Sequence, residues 1–205
     1  MFTINLVIAL ILSYFLGAIP SGYLITKKIK GFDIRNYGSG NPGAANVYRI
    51  VGKKAGLATF ACDALKGAVA VILAKILAPE VVWLPIACGF IAICAHMWTV
   101  FLKFRGGKGV ATSAGVFGAL LPLPTIIAFL SFVIVVWKTG RISPGSILAC
   151  IVLPLAAWLT GASLPYIIFC IIVAAIVIYK HIPNIKRMLE HKELNFEDGS
   201  KKNVK

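Results

Sequence analysis

Three short segments of the chain combine glycines with cations and hydrogen-bond donors. The first, GSGNPGAANVYR, covers residues 38–49, the second, FRGGKGVAT, covers residues 104–112, and the third, HIPNIKRML, covers residues 181–189. Glycine-rich turns let successive backbone N–H groups point at one oxyanion, and a nearby cation strengthens the binding of that anion. We therefore predict that these segments bind ligands carrying phosphate or another anionic group.

The first segment formally matches the dinucleotide-binding pattern GxGxxG at Gly38, Gly40 and Gly43. That pattern acts at the end of a β-strand, whereas here it follows an apolar segment and a basic linker, so a dinucleotide-binding fold is not expected. A merely flexible loop, the alternative, gives no reason for Asn-Pro-Gly followed by Arg49. We predict an anion cradle of backbone N–H groups, to which three side chains add donors: Ser39, Asn41 and Asn46.

The second segment resembles a Walker A motif only in part, because Lys108 is followed by Gly109 where Ser or Thr is required. The upstream glycine is also missing, so an ATPase is not expected. What remains is a glycine turn, with Gly106 and Gly107, that leads into a helix N-terminus where backbone dipoles favour an anion. Alternatively, the basic residues only anchor the loop to anionic lipid, which accounts for the charge but not for the glycines.

The third segment places His181, Asn184 and Met188 on one helical face by their spacing, so the first two can point together at the membrane surface. A lone histidine at such a surface is more often a snorkelling polar group, but two other anion-binding segments favour a functional role here. Ser143 and Ser146 give a weaker signal for a further hydroxyl in the same site.

Three polar residues fall inside apolar stretches. Asp63 and Lys66 are spaced i, i+3 on a predicted helix, which favours a structural ion pair over a proton relay. His96 ends another apolar stretch just before the glycine–lysine loop, so it either supports that loop or packs within the core.

The composition indicates a membrane protein. Of 205 residues, 59% are hydrophobic and only 14% are charged, which excludes an ordinary soluble domain. Apolar stretches long enough to cross a bilayer cover residues 4–26, 56–78, 81–101, 143–159 and 164–179. Five cysteines lie inside apolar runs and are predicted to be small buried hydrophobes without a disulfide or metal framework: Cys62, Cys88, Cys94, Cys150 and Cys170.

The region 110–137 is too long for one ordinary span, and a turn is predicted near Pro122 and Pro124. Two equal helices of about 14 residues would each reach only about 21 Å. Local bilayer thinning, or a hairpin that does not fully cross, is therefore expected.

The distribution of charge gives a topology. The chain carries 21 Lys and Arg against 7 Asp and Glu, a net charge of +14, and 19 of the basic residues fall in segments 27–54, 103–108, 138–141 and 180–205. By the positive-inside rule these segments share the cytoplasmic side. We predict an all-α polytopic membrane protein with about seven transmembrane helices, N-terminus outside and C-terminus cytoplasmic. Residues 1–205 then form one domain with a polar cytoplasmic tail from about residue 182, and the charge indicates contact with membrane lipid rather than nucleic acid.

Read together, the three segments resemble the cytoplasmic motifs of the bacterial acyl-phosphate:glycerol-3-phosphate acyltransferases, the PlsY-type family, in the same order. The third motif extends to HIPNIKRMLEHKE, and DALKG at 63–67 also resembles family positions. The resemblance implies a bacterial inner-membrane enzyme with its active site on the cytoplasmic face. Such an enzyme transfers a fatty acyl group from acyl phosphate to the 1-hydroxyl of glycerol 3-phosphate, giving 1-acyl-glycerol 3-phosphate (lysophosphatidic acid) and phosphate in phospholipid synthesis.

The resemblance also assigns roles to residues. It implies that Ser39, the glycine-rich backbone and Asn41 hold acyl phosphate, while the second substrate, glycerol 3-phosphate, is held by Arg49, Lys108, Ser146, His181 and Asn184. The residues expected to be catalytic are Ser39, Arg49, Lys108, His181 and Asn184. Those expected to bind substrate are Gly38, Gly40, Asn41, Gly43, Ala45, Asn46, Gly106, Gly107, Gly109 and Ser146. Ala45 stands where many family members have Thr, and the third motif departs from the family before Glu193.

The same residues bear on alternative mechanisms and alternative functions. Acyltransferases that use acyl-CoA or acyl carrier protein depend on an HxxxxD pair, and no histidine here has Asp five positions later. The carboxylates lack the clustering of a two-metal site, so neither a metal nor another cofactor is expected. Since acyl phosphate is already activated, no covalent acyl-enzyme is required. A transporter for small phosphate-bearing anions, or a lipid-binding scaffold, stays open as an alternative.

Overall fold

A computed structural model describes residues 2–195, and residues 196–205 of the predicted polar tail lie outside them. The helices are, in chain order, α1 Phe2–Ala18, α2 Ser21–Lys30, α3 Ala44–Ile50, α4 Lys53–Leu77, α5 Leu84–Met97, α6 Val110–Leu120, α7 Pro122–Thr139, α8 Ile142–Leu159, α9 Leu164–Lys180 and α10 Ile182–Leu189. Two short 3-10 helices, Ile34–Asn36 and Val100–Leu102, lie in loops. Since residues 2–195 contain no strand, the predicted all-α class is confirmed.

The helices include several that can cross a membrane. Within the described residues, five stretches are long and apolar enough: Thr3–Lys30, Lys53–Leu77, Leu84–Leu102, Pro122–Thr139 and Ile142–Leu159. A sixth results if α9 and α10, which meet at a bend of 56°, count as one span. The predicted polytopic membrane class is therefore confirmed at five or six candidate spans, and the count of seven stays a prediction.

Two predicted helices differ in detail from the structure. The first apolar stretch is interrupted at Pro20, which has no backbone N–H to donate, and the chain resumes as α2, which ends at Gly31 with φ +78°. The region 110–137 does form two helices, but they have 11 and 18 residues instead of two equal lengths. Pro122 begins α7, since a proline fits the first turn of a helix, so the break falls at Leu121.

Close helix packing depends on small residues. A Cβ at Gly17 in α1 would overlap the Ala92 backbone of α5, and one at Gly115 in α6 would overlap the Ala64 carbonyl of α4. Small residues let membrane helices approach closely and gain van der Waals contact, which matters because lipid is as apolar as the helix surfaces. Helix α4 is central, since it packs against α1, α3, α5 and α6.

The buried core and the outer surface are both apolar. A main core cluster joins α4, α5, α6, α7, α8 and α9, and within it the rings of Phe117 and Phe169 are in contact. Large apolar side chains such as Trp137, 82% exposed, cover the outside, as expected for a surface that faces lipid. All five cysteines are free thiols, and Cys62 is exposed on α4, so its predicted burial is wrong.

Candidate active site

One cavity, of about 660 Å³ including its open mouth, brings the three segments together. The predicted site residues that line it are Ser39, Asn41, Gly43, Ala45, Asn46, Arg49, Lys108, Gly109, Ser146, His181 and Asn184. Gly40 lines an adjoining cleft that shares Ser39 and Lys108 with the cavity. Residues from four separate regions of the sequence therefore face one space.

The loop before α3 is held in shape by one buried amide. Asn46 is 1% exposed, and its Oδ1 accepts a hydrogen bond from the Ser39 backbone N–H at 2.9 Å. Its Nδ2 donates to the Tyr37 carbonyl at 2.9 Å. Gly38, at φ +58°, lies against this amide with no room for a Cβ. Gly38 and Asn46 thus fix the backbone of the loop, while Ser39 borders the cavity.

The same loop turns into α3 through a second amide. Asn41 Oδ1 accepts from the Gly43 backbone N–H at 2.8 Å, a turn typical of Asn before a helix. Ala45 lies in the first turn of α3, where backbone N–H groups have no acceptor within the helix. Because the side chain of Ala45 is a methyl group, the backbone is the only polar part of this residue that can contact a ligand in the cavity.

The glycines before α6 allow a tight turn. Gly106 and Gly107 do not border the cavity but pack on the end of α5, where their N–H groups donate to the Met97 and His96 carbonyls. A Cβ at either glycine would overlap that helix end. Gly109, at φ +85°, then starts α6. Gly106 and Gly107 therefore allow the tight turn of the loop, whereas Lys108, which follows them, lines the cavity.

Lys108 is the cation at the centre of the cavity. Its Nζ donates a hydrogen bond to Asn184 Oδ1, which joins the second segment to the third. Burial lowers the pKa of Lys108 to about 7, although the Glu193 carboxylate partly offsets this effect. A half-buried ammonium with few fixed partners is a site for an anionic ligand, since a phosphate would restore the charged form.

Asn184 belongs to a network that the sequence did not predict. Its Nδ2 donates to Ser143 Oγ at 2.6 Å and to Glu193 Oε1 at 2.8 Å, and Ser143 Oγ donates to the same carboxylate oxygen at 2.5 Å. Arg187 pairs with Glu193 Oε2 at 3.0 Å. Glu193 is separated from Ser143 by 50 residues, so no local pattern could reveal the contact.

The charged form of Glu193 is favoured in this network. Burial opposes ionisation, but hydrogen bonds from Ser143 and Asn184 and the Arg187 guanidinium outweigh it and lower the Glu193 pKa. Glu193 is 4% exposed, and it orients Asn184 toward Lys108. The carboxylate therefore supports the site, although it falls within the predicted polar tail.

Arg49 and His181 complete the polar wall. Arg49 is 5% exposed, and its Nε donates to the Asn195 carbonyl at 3.0 Å, which ties the first segment to the end of the described chain. His181 lies at the break between α9 and α10, and its Nδ1 donates to the Val177 carbonyl at 2.8 Å. That bond leaves Nε2 as the ring nitrogen able to accept a proton or bind a ligand.

An apolar cavity of about 650 Å³ adjoins the polar one. Both are lined by Val110, Phe132 and Ser146, and the apolar cavity runs on between α6, α7, α8 and α9 past Phe117 and Leu153. A polar, cationic compartment that opens into an apolar one suits a ligand with a phosphate at one end and a hydrocarbon chain at the other.

The predicted Asp63–Lys66 pair is confirmed, at 2.8 Å, and lies beside the cavity. His96 supports the glycine loop as well as packing in the core, since its carbonyl accepts from Gly107. In residues 2–195, no group of three or more His, Cys, Asp or Glu side chains has the arrangement of a metal site.

Comparison with known proteins gives a consistent result. The sequence model of a family described as glycerol-3-phosphate acyltransferase matches residues 7–191. Proteins named glycerol-3-phosphate acyltransferase from Fusobacterium nucleatum and Trichlorobacter lovleyi are 41% and 44% identical to the chain. The first match covers 92% of this chain and 96% of the relative, and the second covers 90% and 94%.

Two crystal structures are also similar. One is PlsY, an integral membrane glycerol 3-phosphate acyltransferase, in its glycerol 3-phosphate form, with a TM-score of 0.87, 36% identity and coverage of 93% of this chain and 94% of that one. The other is the lysophosphatidic acid form, with a TM-score of 0.85, 35% identity and coverage of 94% and 96%.

Proposed function

This chain belongs to the glycerol-3-phosphate acyltransferase family, and from that membership we propose that it transfers a fatty acyl group from acyl phosphate to the 1-hydroxyl of glycerol 3-phosphate. The products are lysophosphatidic acid and inorganic phosphate. The observation that carries the choice of substrates is the polar cavity with Lys108 and Arg49, which shares lining residues with the adjoining apolar cavity. Two phosphates and one acyl chain fit such a pair of compartments.

The site residues divide the two substrates between them. The backbone of the loop at 38–43, with Ser39 and Asn41, holds acyl phosphate, whose chain enters the apolar cavity. Glycerol 3-phosphate is held on the opposite wall by Arg49, Lys108, Ser146, His181 and Asn184. The contact of Lys108 with Asn184 supports this division, because one cation and one amide then face the same phosphate.

The reaction needs positioning more than activation. The substrate hydroxyl attacks the carbonyl carbon of the mixed anhydride, a new C–O bond forms, and the bond to the phosphate oxygen breaks with its electron pair going to phosphate. Lys108 and Arg49 stabilise the charge that develops on these groups. The hydroxyl proton passes either to the departing phosphate or to His181 Nε2. A pH–rate profile that His181→Gln leaves unchanged would exclude His181 as the acceptor.

In the membrane, the chain has seven crossings, with the N-terminus outside and the C-terminus in the cytoplasm, and residues 1–205 act as one domain. The site then lies on the cytoplasmic side of a bacterial inner membrane, where glycerol 3-phosphate is dissolved and acyl phosphate is supplied from lipid. The clustering of basic residues in four segments supports this orientation.

The proposal is tested with purified protein in detergent. Acyl phosphate and glycerol 3-phosphate, in the presence of EDTA and without CoA or acyl carrier protein, should give lysophosphatidic acid and an equal amount of phosphate. Acyl-CoA offered in place of acyl phosphate should give no product. Turnover with acyl-CoA alone would overturn the proposed donor. The transporter alternative gains no support from the relatives, and it predicts phosphate uptake into vesicles without product.

A further inference from the structure

A cluster of three buried polar side chains, Asp63, Lys66 and His96, has no part in the proposed reaction: Asp63 and His96 line the cavity, and Lys66 does not border it. Lys66 is 6% exposed and Asp63 is 1% exposed, both on α4, while His96 is in the last turn of α5. A buried charge is retained only where it is fully paired, so the partners of Lys66 indicate what it does.

The Lys66 ammonium contacts three different elements through two hydrogen bonds and one ion pair. Its Nζ donates to the Ile19 carbonyl at 2.6 Å, at the break between α1 and α2, and to His96 Nδ1 at 2.9 Å, and it pairs with Asp63 Oδ1 at 2.8 Å. Nearby, Thr99 Oγ1 donates to the Ala18 carbonyl at 2.6 Å and closes the same junction. Lys66 therefore ties α1, α4 and α5 at one point.

The glycine loop before Lys108 packs against this cluster through His96. The His96 carbonyl accepts the Gly107 backbone N–H at 3.2 Å, and its ring lies where a Gly107 Cβ would be. Since Lys66 donates to Nδ1, the neutral His96 ring carries its proton on Nε2, the nitrogen nearest Gly107. The next residue in the chain is Lys108. Any rotation of the His96 ring thus moves the backbone that presents Lys108 to the cavity.

We propose that Lys66, through Asp63 and His96, is a positioning residue for Lys108. It does not touch substrate; it fixes the place from which Lys108 reaches the glycerol 3-phosphate. Helix α4 also carries Lys75, whose Nζ donates to the Ala119 carbonyl of α6 at 2.8 Å and which does not contact the glycine loop. Both lysines connect helices by donating a hydrogen bond to a backbone carbonyl. Only Lys66 is also linked, through His96, to the loop that carries Lys108.

The inference rests on the proposed function, and the test separates the two. The test protein is the double variant D63N/K66M, which removes both charges so that no unpaired buried ion is left. The KM for glycerol 3-phosphate should rise at least tenfold, while the KM for acyl phosphate changes less than twofold. Lys66→Arg, which keeps the cation, should recover part of the affinity, and Lys75→Met should leave both KM values unchanged.

The outcomes are distinct. If Lys66 only stabilises the fold, the variants lower the amount of active enzyme and the unfolding temperature, but both KM values stay at the wild-type level, and the inference is overturned. A Lys75→Met variant with the same rise in KM would overturn it too. If D63N/K66M does not accumulate, His96→Asn is used, which keeps an acceptor near Nδ1 but removes the ring under Gly107; an unchanged KM for glycerol 3-phosphate then overturns the inference. Wild-type protein without product would instead contradict the proposed function.

Discussion

Lys108 and Arg49 are the two cations for which the site gives a direct role. Lys108 borders both the cavity and its adjoining cleft, and Arg49 is buried and lines the same cavity. Removing a charged group that stabilises a transition state typically costs about 100-fold or more in turnover. We therefore expect Lys108→Ala and Arg49→Ala each to lower kcat/KM by roughly 100-fold.

Phosphate release by purified variants measures this effect. Arg105→Ala is the matched control, because Arg105 is an exposed cation in the same loop and does not border the cavity. Near-normal turnover in either cavity variant, or an equal loss in Arg105→Ala, would contradict the assigned site.

The pH dependence of the enzyme follows from the burial of Lys108. Its pKa is lowered to about 7 in the free protein, so the charged form is present below that pH and is lost above it. We expect kcat/KM for glycerol 3-phosphate to fall as the pH rises above about 7, since kcat/KM reports the free enzyme. Bound phosphate favours the ammonium, so the fall in kcat should lie at higher pH.

The variant Lys108→Arg tests whether the alkaline fall in kcat/KM comes from Lys108 or from another titrating group. A guanidinium stays charged throughout the assay range, so the fall in kcat/KM above pH 7 should disappear even if the absolute rate is lower. We also expect kcat/KM to fall on the acid side, where the phosphate of the substrate takes up its proton, and Lys108→Arg should keep this fall. A variant that keeps the alkaline fall would show that another group titrates.

Glu193 is the residue whose importance the sequence concealed. It is an ordinary tail carboxylate by sequence, yet its side chain is fully buried and accepts from both Ser143 and Asn184. Glu193→Ala leaves two buried donors without their acceptor, which costs about 1–3 kcal/mol each at most. We expect a lower unfolding temperature and weaker binding of glycerol 3-phosphate.

The control for Glu193 lies three residues earlier. Glu190 pairs with Lys192, but both side chains are more than half exposed, so Glu190→Ala should change neither stability nor activity measurably. Thermal unfolding in detergent and a substrate titration compare the two variants. Equal effects would place Glu193 outside the support of the site.

At the scale of elements, the contact between α4 and α6 depends on glycine. Gly115 lies against the Ala64 carbonyl, a backbone atom that cannot move aside, whereas Gly118 in the same helix has nothing within 4 Å of its would-be Cβ. Overpacking typically costs about 1–3 kcal/mol. Gly115→Ala should therefore lower the unfolding temperature, while Gly118→Ala should leave it unchanged or raise it, since alanine favours helix.

The unfolding temperatures of Gly115→Ala and Gly118→Ala, measured in the same detergent, test this prediction. The chemical change is identical, so a difference between them reports the helix contact and not the propensity of alanine. Similar unfolding temperatures would mean that α4 and α6 are further apart than described.

Most helices could be predicted from the sequence, but some of their lengths and contacts could not. Apolar length and proline position predicted most helices, because membrane spans are set by local composition. The unequal lengths of α6 and α7 depend on how neighbouring helices pack, and no local pattern carries that information. Pro20, by contrast, was a local signal for the break after α1. In the same way, the three motifs were visible as glycine and cation patterns, whereas the partners of Asn184 come from residues far apart in sequence.

At the scale of the whole molecule, the position of α6 against α4 explains its shortness. Thr112 lies against Gly67, near the start of α6, and Lys75 reaches the Ala119 carbonyl at its end. Gly115, the central residue of α6, lies against Ala64 near the centre of α4, so α6 runs beside the middle and the outer part of α4. At 1.5 Å per residue, Ala64 is about 16 Å along α4 and α6 begins about 7 Å before that level, so the glycine loop joins α6 below the inner end of α4.

This arrangement offers an alternative to the predicted thinning of the bilayer. Helix α6 is only about 16 Å long and its loop begins below the inner end of α4, while α7, at about 27 Å, is long enough to cross on its own. The turn at Pro122 should then reach the outer side, which gives seven crossings. A deep loop also brings Lys108 toward the apolar cavity, where the acyl carbonyl would lie.

Cysteine labelling of the α6–α7 turn tests this topology. In a chain whose five native cysteines are replaced, Leu123→Cys, at a residue 56% exposed, should react with a membrane-impermeant maleimide added outside spheroplasts. Lys28→Cys and Lys138→Cys, in basic segments, should react only after lysis, and Glu80→Cys serves as the outer reference. If Leu123→Cys reacts only from the inner side, or not at all while Glu80→Cys does, the hairpin stops within the membrane and the chain has five crossings.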